Sequence, residues 1–233
     1  LSLVSVEYAL GVTGHNAYAG TPKNPFHTDY ICGGSSSGSA AMIAAGILPA
    51  SLGSDTGGSI RLPAAACGLV GLKPTYGLVS RHGVFPLSQS LDTVGVLSCN
   101  VEDSAMILSA IAGYDPRDST SIELPATAYH ENLEAPVTGV RVGLGTGYFM
   151  AGATAEIADK VSNAFEQFER FGAKLTETDI AEIADTNPLN VLLISTEAAD
   201  IHLDSLSDSH TALNPQTLMR ILTGLYTDTD SYR

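Results

Sequence analysis

Tryptophan is absent from this sequence, cysteine occurs three times, and only 11 of its 233 residues are Lys or Arg. Each shortage excludes something. Against 25 Asp and Glu the formal charge is −14, which repels phosphate backbones and anionic lipid surfaces, so neither nucleic acid nor membrane is expected as a partner of this chain alone. Cys32, Cys67 and Cys99 are odd in number, with no Cys-x-x-Cys and no Cys/His pairing at zinc spacing. That excludes a disulfide framework and a structural metal and fits a reducing, cytoplasmic compartment. No apolar run approaches the roughly 18 residues of a membrane span, and the N-terminus lacks the basic stretch of a signal peptide. The first residue is Leu1 and not Met, so the sequence is expected to be an interior piece of a longer chain.

What is present describes a packed globular enzyme: 44% hydrophobic residues, 15% charged and 23 glycines, unlike a disordered or coiled-coil chain. Over residues 1–100 acid and base balance, Glu7, Asp29, Asp55 and Asp92 against Lys23, Arg61, Lys73 and Arg81. The negative surplus lies beyond residue 100, as a solvated acidic surface. Near 100–115 small-residue loops give way to helical periodicity. Asn100 with Asp103 predicts a capped helix over Val101 to Ala112, stopped by Gly113, and Tyr114 to Pro136 reads as a surface connection. Val140 to Leu144 reads as a buried strand. The stripe Ile157, Val161, Ala164, Phe165, Phe168 and Phe171 predicts an amphipathic helix ending at Gly172, with Ala173 to Thr178 the next strand. Beyond Pro188, helices are expected around Val191 to Leu203 and Pro215 to Leu225, and Asp228 with Asp230 reads as a frayed acidic end and not a cation site. Helix followed by strand points to an α/β fold, a mixed β-sheet covered by helices.

Three short motifs carry the chemistry. Gly33-Gly34-Ser35-Ser36-Ser37-Gly38-Ser39 runs into the helix-compatible Ala40 to Gly46, which places a Gly/Ser loop at a helix N-terminus. It is not a phosphate-binding Walker loop, because Ser39-Ala40 stands where the lysine is required. The same letters fit Gly-x-Ser-x-Gly with Ser36 as nucleophile, but that elbow needs a firm preceding strand, and none of His82, His130, His202 and His210 sits in a recognisable base setting. Asp55-Thr56-Gly57 matches the aspartic protease triplet without the second carboxylate that chemistry shares a proton with. The segment Gly53 to Arg61 offers something else. Consecutive small residues let backbone N–H groups converge on one point, as an oxyanion hole requires, with the Ser59 hydroxyl beside them.

Together, Gly-Gly-Ser-Ser-x-Gly-Ser-Ala, then Ser-Asp-Thr-Gly-Gly-Ser-Ile-Arg, then Pro63 to Thr75 resemble the amidase signature family. The resemblance extends upstream to Glu7-Tyr8-Ala9 and downstream through Phe85 to Ser88, Ser90-Leu91-Asp92 and Asp115 to Thr120. It implies an α/β amidase signature fold and hydrolysis of a carboxylic amide to acid and ammonia or amine, with no metal or organic cofactor. Ser59 would attack the amide carbon and Ser35 relay its proton to a lysine, through a cis Gly34-Ser35 peptide. The N–H groups of Thr56, Gly57, Gly58 and Ser59 would form the oxyanion hole, and Ser36, Asp55 and Arg61 would hold the loop by hydrogen bonds.

One departure matters most. The family's base lysine lies in a Lys-Asp context far upstream of Glu7, whereas Lys23, Lys73, Lys160 and Lys174 fall in other settings. Cys99-Asn100 also replaces the usual Arg-Thr. The sequence is therefore expected to be a single, incomplete amidase signature domain, residues 1–120 its signature core and 121–233 a helical and strand extension. Its expected partner is a small-molecule amide, with self-association into a homo-oligomer. The alternatives are the amidase component of a tRNA-dependent amidotransferase, which releases ammonia from glutamine, and a catalytically silent fragment. Leu62, where those amidotransferase components tend to carry Gln, and Phe85-Pro86-Leu87 favour the general amidases.

Overall fold

The chain, in a computed structural model, is described over residues 3–209 and 213–227. It divides into two compact units, one of residues up to 131 together with those from 191 onward, the other of residues 132–190. His210, Asp228 and Asp230 lie outside the described residues.

In the first unit, β1 (Ala50–Asp55), β2 (Val70–Leu72) and β3 (Thr93–Ser98) form an antiparallel sheet in the order β1-β3-β2. Its register pairs Asp55 with Thr93 and Leu72 with Val96. The central strand, Thr-Val-Gly-Val-Leu-Ser, is bonded along both edges and buried throughout, as its β-branched and aliphatic content favours. Helices α1 (Ser37–Ala44), α2 (Arg61–Ala66) and α3 (Val101–Ile111) pack against this sheet. Cys32, Ala40, Ile43, Ile60, Ala64, Cys67 and Leu97 make one core cluster. Within it each large aliphatic side chain contributes about 1.5–3 kcal/mol by leaving water. Leu10, Leu87, Ala198, Ala199 and Ile221 make a second, which ties α5 (Thr186–Ser209) and α6 (Pro215–Thr223) to the rest of this unit.

Helix α3 starts where the Asn100 and Asp103 pair places it: Asn100 Oδ1 accepts from the Asp103 N–H at 2.7 Å. The connection after it has neither helix nor strand through residue 140. Helix α5 begins two residues before Pro188, earlier than the expected start near Val191. A proline in the first helical turn costs little there, because its missing N–H would have no partner within the helix. Tyr30 to Cys32, the stretch a nucleophile elbow would need as a strand, contributes a single bridge, Lys23 to Ile31.

The second unit is a strand, helix, strand succession: β4 (Arg141–Gly145), α4 (Ala155–Arg170) and β5 (Lys174–Thr178), with the two strands parallel. Parallel strands need such a crossover. The expectation of a buried β4 is corrected, because no residue of that strand is fully buried: two strands and one helix leave part of every face uncovered. The α4 stripe has the expected period, yet Ile157, Val161 and Phe168 are exposed. The fold is thus α/β with antiparallel and parallel strands, distributed over two sheets. Among the described residues no helix is long and apolar enough to cross a membrane.

Candidate functional site

β1 ends at Asp55, and the chain turns through Thr56-Gly57-Gly58-Ser59 into α2. Asp55 organises that turn. Its Oδ1 accepts from the Gly58 N–H at 2.7 Å, and its Oδ2 from the N–H groups of Ile60 at 3.1 Å and Arg61 at 3.3 Å. The Arg61 guanidinium closes on both oxygens, Nε at 3.0 Å and Nη2 at 2.9 Å, the two-pronged geometry that suits a carboxylate best. Burial pushes the Asp55 carboxyl up, but the Arg61 guanidinium with the Ile60 and Gly58 N–H groups outweighs it and holds it below the ordinary carboxylate range. The hydrogen bond to Asp55 raises Arg61 in turn. Gly58 has φ +126°, which L side chains rarely adopt, and a Cβ there would meet Leu62 Cδ1 at 2.9 Å.

The Gly/Ser loop comes against this turn from the other side. The Ser36 N–H donates to the Ser59 carbonyl at 3.2 Å, and the Ser36 hydroxyl to the Ser54 carbonyl at 3.4 Å. Close approach is possible because residue 53 is glycine; a Cβ there would lie 2.6 Å from Ser36 Oγ. The Gly34-Ser35 peptide is cis. Ser35 is held from behind, its carbonyl accepting from the Val6 N–H at 3.0 Å. The Ser35 hydroxyl is buried and without a hydrogen-bond partner among the described residues. Ser59 is 7% exposed.

The structure thus gathers Ser35, Ser36, Asp55, Thr56, Gly57, Gly58, Ser59 and Arg61 into one locality. The Lys73 ammonium donates to the Pro74 carbonyl at 3.2 Å, and Lys160 faces Glu156 at 3.8 Å. His130 contacts Ser109 and His202 the Pro86 carbonyl, while His82 is exposed. Cys32 and Cys67 are buried core thiols, and burial with the adjacent Cys32 pushes Cys67 up to about 12. Sequence reasoning gave no part to Asp92, whose Oδ1 accepts from the buried Thr56 hydroxyl at 2.6 Å. Asp92 stands in the sequence only within the Ser90-Leu91-Asp92 segment that carries the resemblance, and its 36-residue separation from Thr56 leaves no local pattern that pairs the two.

An α/β scaffold presenting a serine-rich loop against a Gly-Gly-Ser turn is the setting into which the comparisons with known proteins fall. The family model described as Amidase matches residues 5–227, and the chain belongs to the amidase family, the amidase signature proteins. A component of the glutamyl-tRNA(Gln) amidotransferase of Marinomonas sp. (strain MWYL1) is 41% identical over 219 residues, 93% of this chain and 45% of that protein. A solved structure from a vestigial protein complex, described as revealing the evolutionary origins of an s-triazine catabolic enzyme, is 35% identical with a TM-score of 0.92, covering 99% of this chain and 50% of that one. A crystal structure of an amidase is 33% identical with a TM-score of 0.82, covering 98% and 49%. The chain therefore spans about half the length of the relatives it matches. The curated relative carries the name of the alternative expectation, the last structure that of the main one.

Proposed function

We propose that the protein containing these residues hydrolyses a carboxylic amide with Ser59 as nucleophile. The observation that carries this reading is the buried, unpartnered Ser35 hydroxyl in a loop bonded to the Ser59 backbone. A serine hydroxyl attacks poorly at neutral pH unless a neighbour takes its proton. Ser59 Oγ bonds to the amide carbon while its proton passes to Ser35 Oγ, which yields its own to an amine supplied from outside these 233 residues. The oxyanion faces N–H groups of Thr56, Gly57 and Ser59. Gly58, whose N–H is engaged by Asp55, holds the turn's shape instead of donating to substrate. The departing amine takes the proton back, and water then releases the acid from the acyl-serine. Asp55, Arg61 and Ser36 fix the turn and loop, and residues 1–233 act as part of one amidase signature domain.

A second reading, ammonia release from glutamine within a tRNA-dependent amidotransferase, is favoured by the 41% identity to the Marinomonas amidotransferase component. Leu62, against the Gln of such components, speaks for the general amidase. Assaying the full-length protein alone on simple amides and on glutamine separates the two: turnover of simple amides supports the first, glutamine-restricted turnover the second. A fluorophosphonate probe should form its adduct at Ser59, and labelling that persists in Ser59→Ala would overturn the assignment. Residues 1–233 assayed alone should give no turnover above buffer, since loss of a general base removes about 10²- to 10⁴-fold in rate. Robust turnover there, abolished by Ser59→Ala, would assign the base to a lysine of this sequence, Lys73 first.

A further inference from the structure

The Asp55 carboxylate fixes only the far half of the Ser59 turn, at Gly58, Ile60 and Arg61. Thr56 and Gly57, the near half, need another restraint, since a Thr-Gly-Gly sequence has little rigidity of its own. Asp92 supplies it. This residue precedes β3, one position before the Thr93 that pairs with Asp55 across the sheet, so two buried carboxylates bracket the turn. Asp92 Oδ1 accepts from the Thr56 hydroxyl at 2.6 Å, and Oδ2 from the N–H groups of Leu87 at 2.8 Å and Ser88 at 3.0 Å. The segment 87–92 is itself anchored from α5. Glu197, 8% exposed, accepts from the hydroxyls of Ser88 and Ser90 and from the Ser90 N–H at 3.0 Å. A continuous path of hydrogen bonds to carboxylates therefore runs from α5 to a residue three positions before Ser59.

We propose that Asp92 and Glu197 are positioning residues for the Ser59 turn. Asp92 sets the direction of Thr56 and its N–H through the threonine hydroxyl, and Glu197 does so through the segment that carries Asp92. This rests on the reading of Ser59 and its neighbouring N–H groups given above. Isosteric variants suffice to test it, because Asn or Gln keeps the volume of each buried group and one acceptor oxygen but places an amide where an acceptor is needed.

In the full-length protein, Thr56→Val, Asp92→Asn and Glu197→Gln should each lower kcat by about 10- to 100-fold with KM within about twofold, the signature of misdirected reacting geometry. Thr56→Ser, which keeps the hydroxyl, should recover the rate. The Thr56→Val, Asp92→Asn pair should be no slower than Asp92→Asn alone, as members of one path are not additive. Amide hydrogen exchange gives a readout independent of turnover. It should quicken over residues 55–60 in all three variants and stay unchanged over α3, which also establishes that they fold. Exchange over 55–60 equal to that of the unsubstituted protein, or a rise shared equally by α3 with kcat and KM both altered, would overturn the proposal. If the unsubstituted protein neither turns over an amide nor labels at Ser59, the functional reading fails, and the exchange data still decide the positioning.

Discussion

Asp55 receives five hydrogen bonds from residues no more than six positions away, so its cost of removal is local. Asp55→Asn should destabilise the fold by about 1.5–3 kcal/mol, the range for hydrogen bonds to a charged group, measured by urea unfolding at pH 7. The carboxyl sits lower in the folded than in the unfolded chain, so its contribution is present above the ordinary value near 3.9 and is lost as pH falls through the folded one. The gap between the two proteins should therefore close in acid. This part of the site was legible because every member lies in one nine-residue stretch. Asp92 and Glu197 were not. The bonds that join them to the turn and to each other's segment span 36 residues from Asp92 to Thr56 and 107 to 109 from Glu197 to Ser90 and Ser88, and a buried acid bonded across such a distance has the same local sequence signature as one on the surface.

Helices that carry their own end signals are read correctly from the chain. The Asn100 side chain both caps the Asp103 N–H and donates to Asp103 Oδ2 at 2.9 Å, and α3 begins at the next residue. Asn100→Ala should lower stability by about 1 kcal/mol, seen as a shift in urea midpoint at unchanged slope; a shift under a quarter of that would deny the cap its role. Elements whose character depends on neighbours were read less well. β4 has the apolar run of an interior strand, but burial is a property of what lies on each face, and the sequence of one strand does not contain it. Likewise the α4 period identified a helix, while its Ile157 and Val161 positions are exposed. Periodicity reports which face is apolar and says nothing of whether it is covered.

Across the first unit, α5 is held to the chain before β3 by more than Glu197. The His202 ring stacks on Phe85 at 5.1 Å, meets Tyr8 edge-on at 4.7 Å, and its Nε2–H donates to the Pro86 carbonyl at 2.8 Å. Burial holds this imidazole below its ordinary value, outweighing the Pro86 carbonyl and the Asp92 charge, which act upward. The unfolded chain then binds a proton near pH 6.5 that the folded chain refuses, so stability declines as pH falls from about 6.5 toward the folded value. His202→Gln should flatten that limb in urea titrations between pH 7 and 5; an unchanged slope would mean other groups set it. Tyr8 and Phe85 stood in the sequence only within separate segments of the family resemblance, and their edge-on contact was not legible there, since contacts between residues 8, 85 and 202 follow from topology.

The Asp55 turn also has a history in time. The hydrogen bonds to the Asp55 carboxylate span three to six residues, whereas the Thr56 hydroxyl reaches Asp92 across 36, the Ser36 hydroxyl reaches Ser54 across 18 and Glu197 reaches Ser88 across 109. Closing a loop costs more entropy as it lengthens, and local contacts form first. A nascent chain leaving the ribosome N-terminus first can shape the Ser59 turn and dock the Gly/Ser loop while Glu197, 109 residues beyond Ser88, is still to be synthesised. The turn is born early, and its last restraint arrives late.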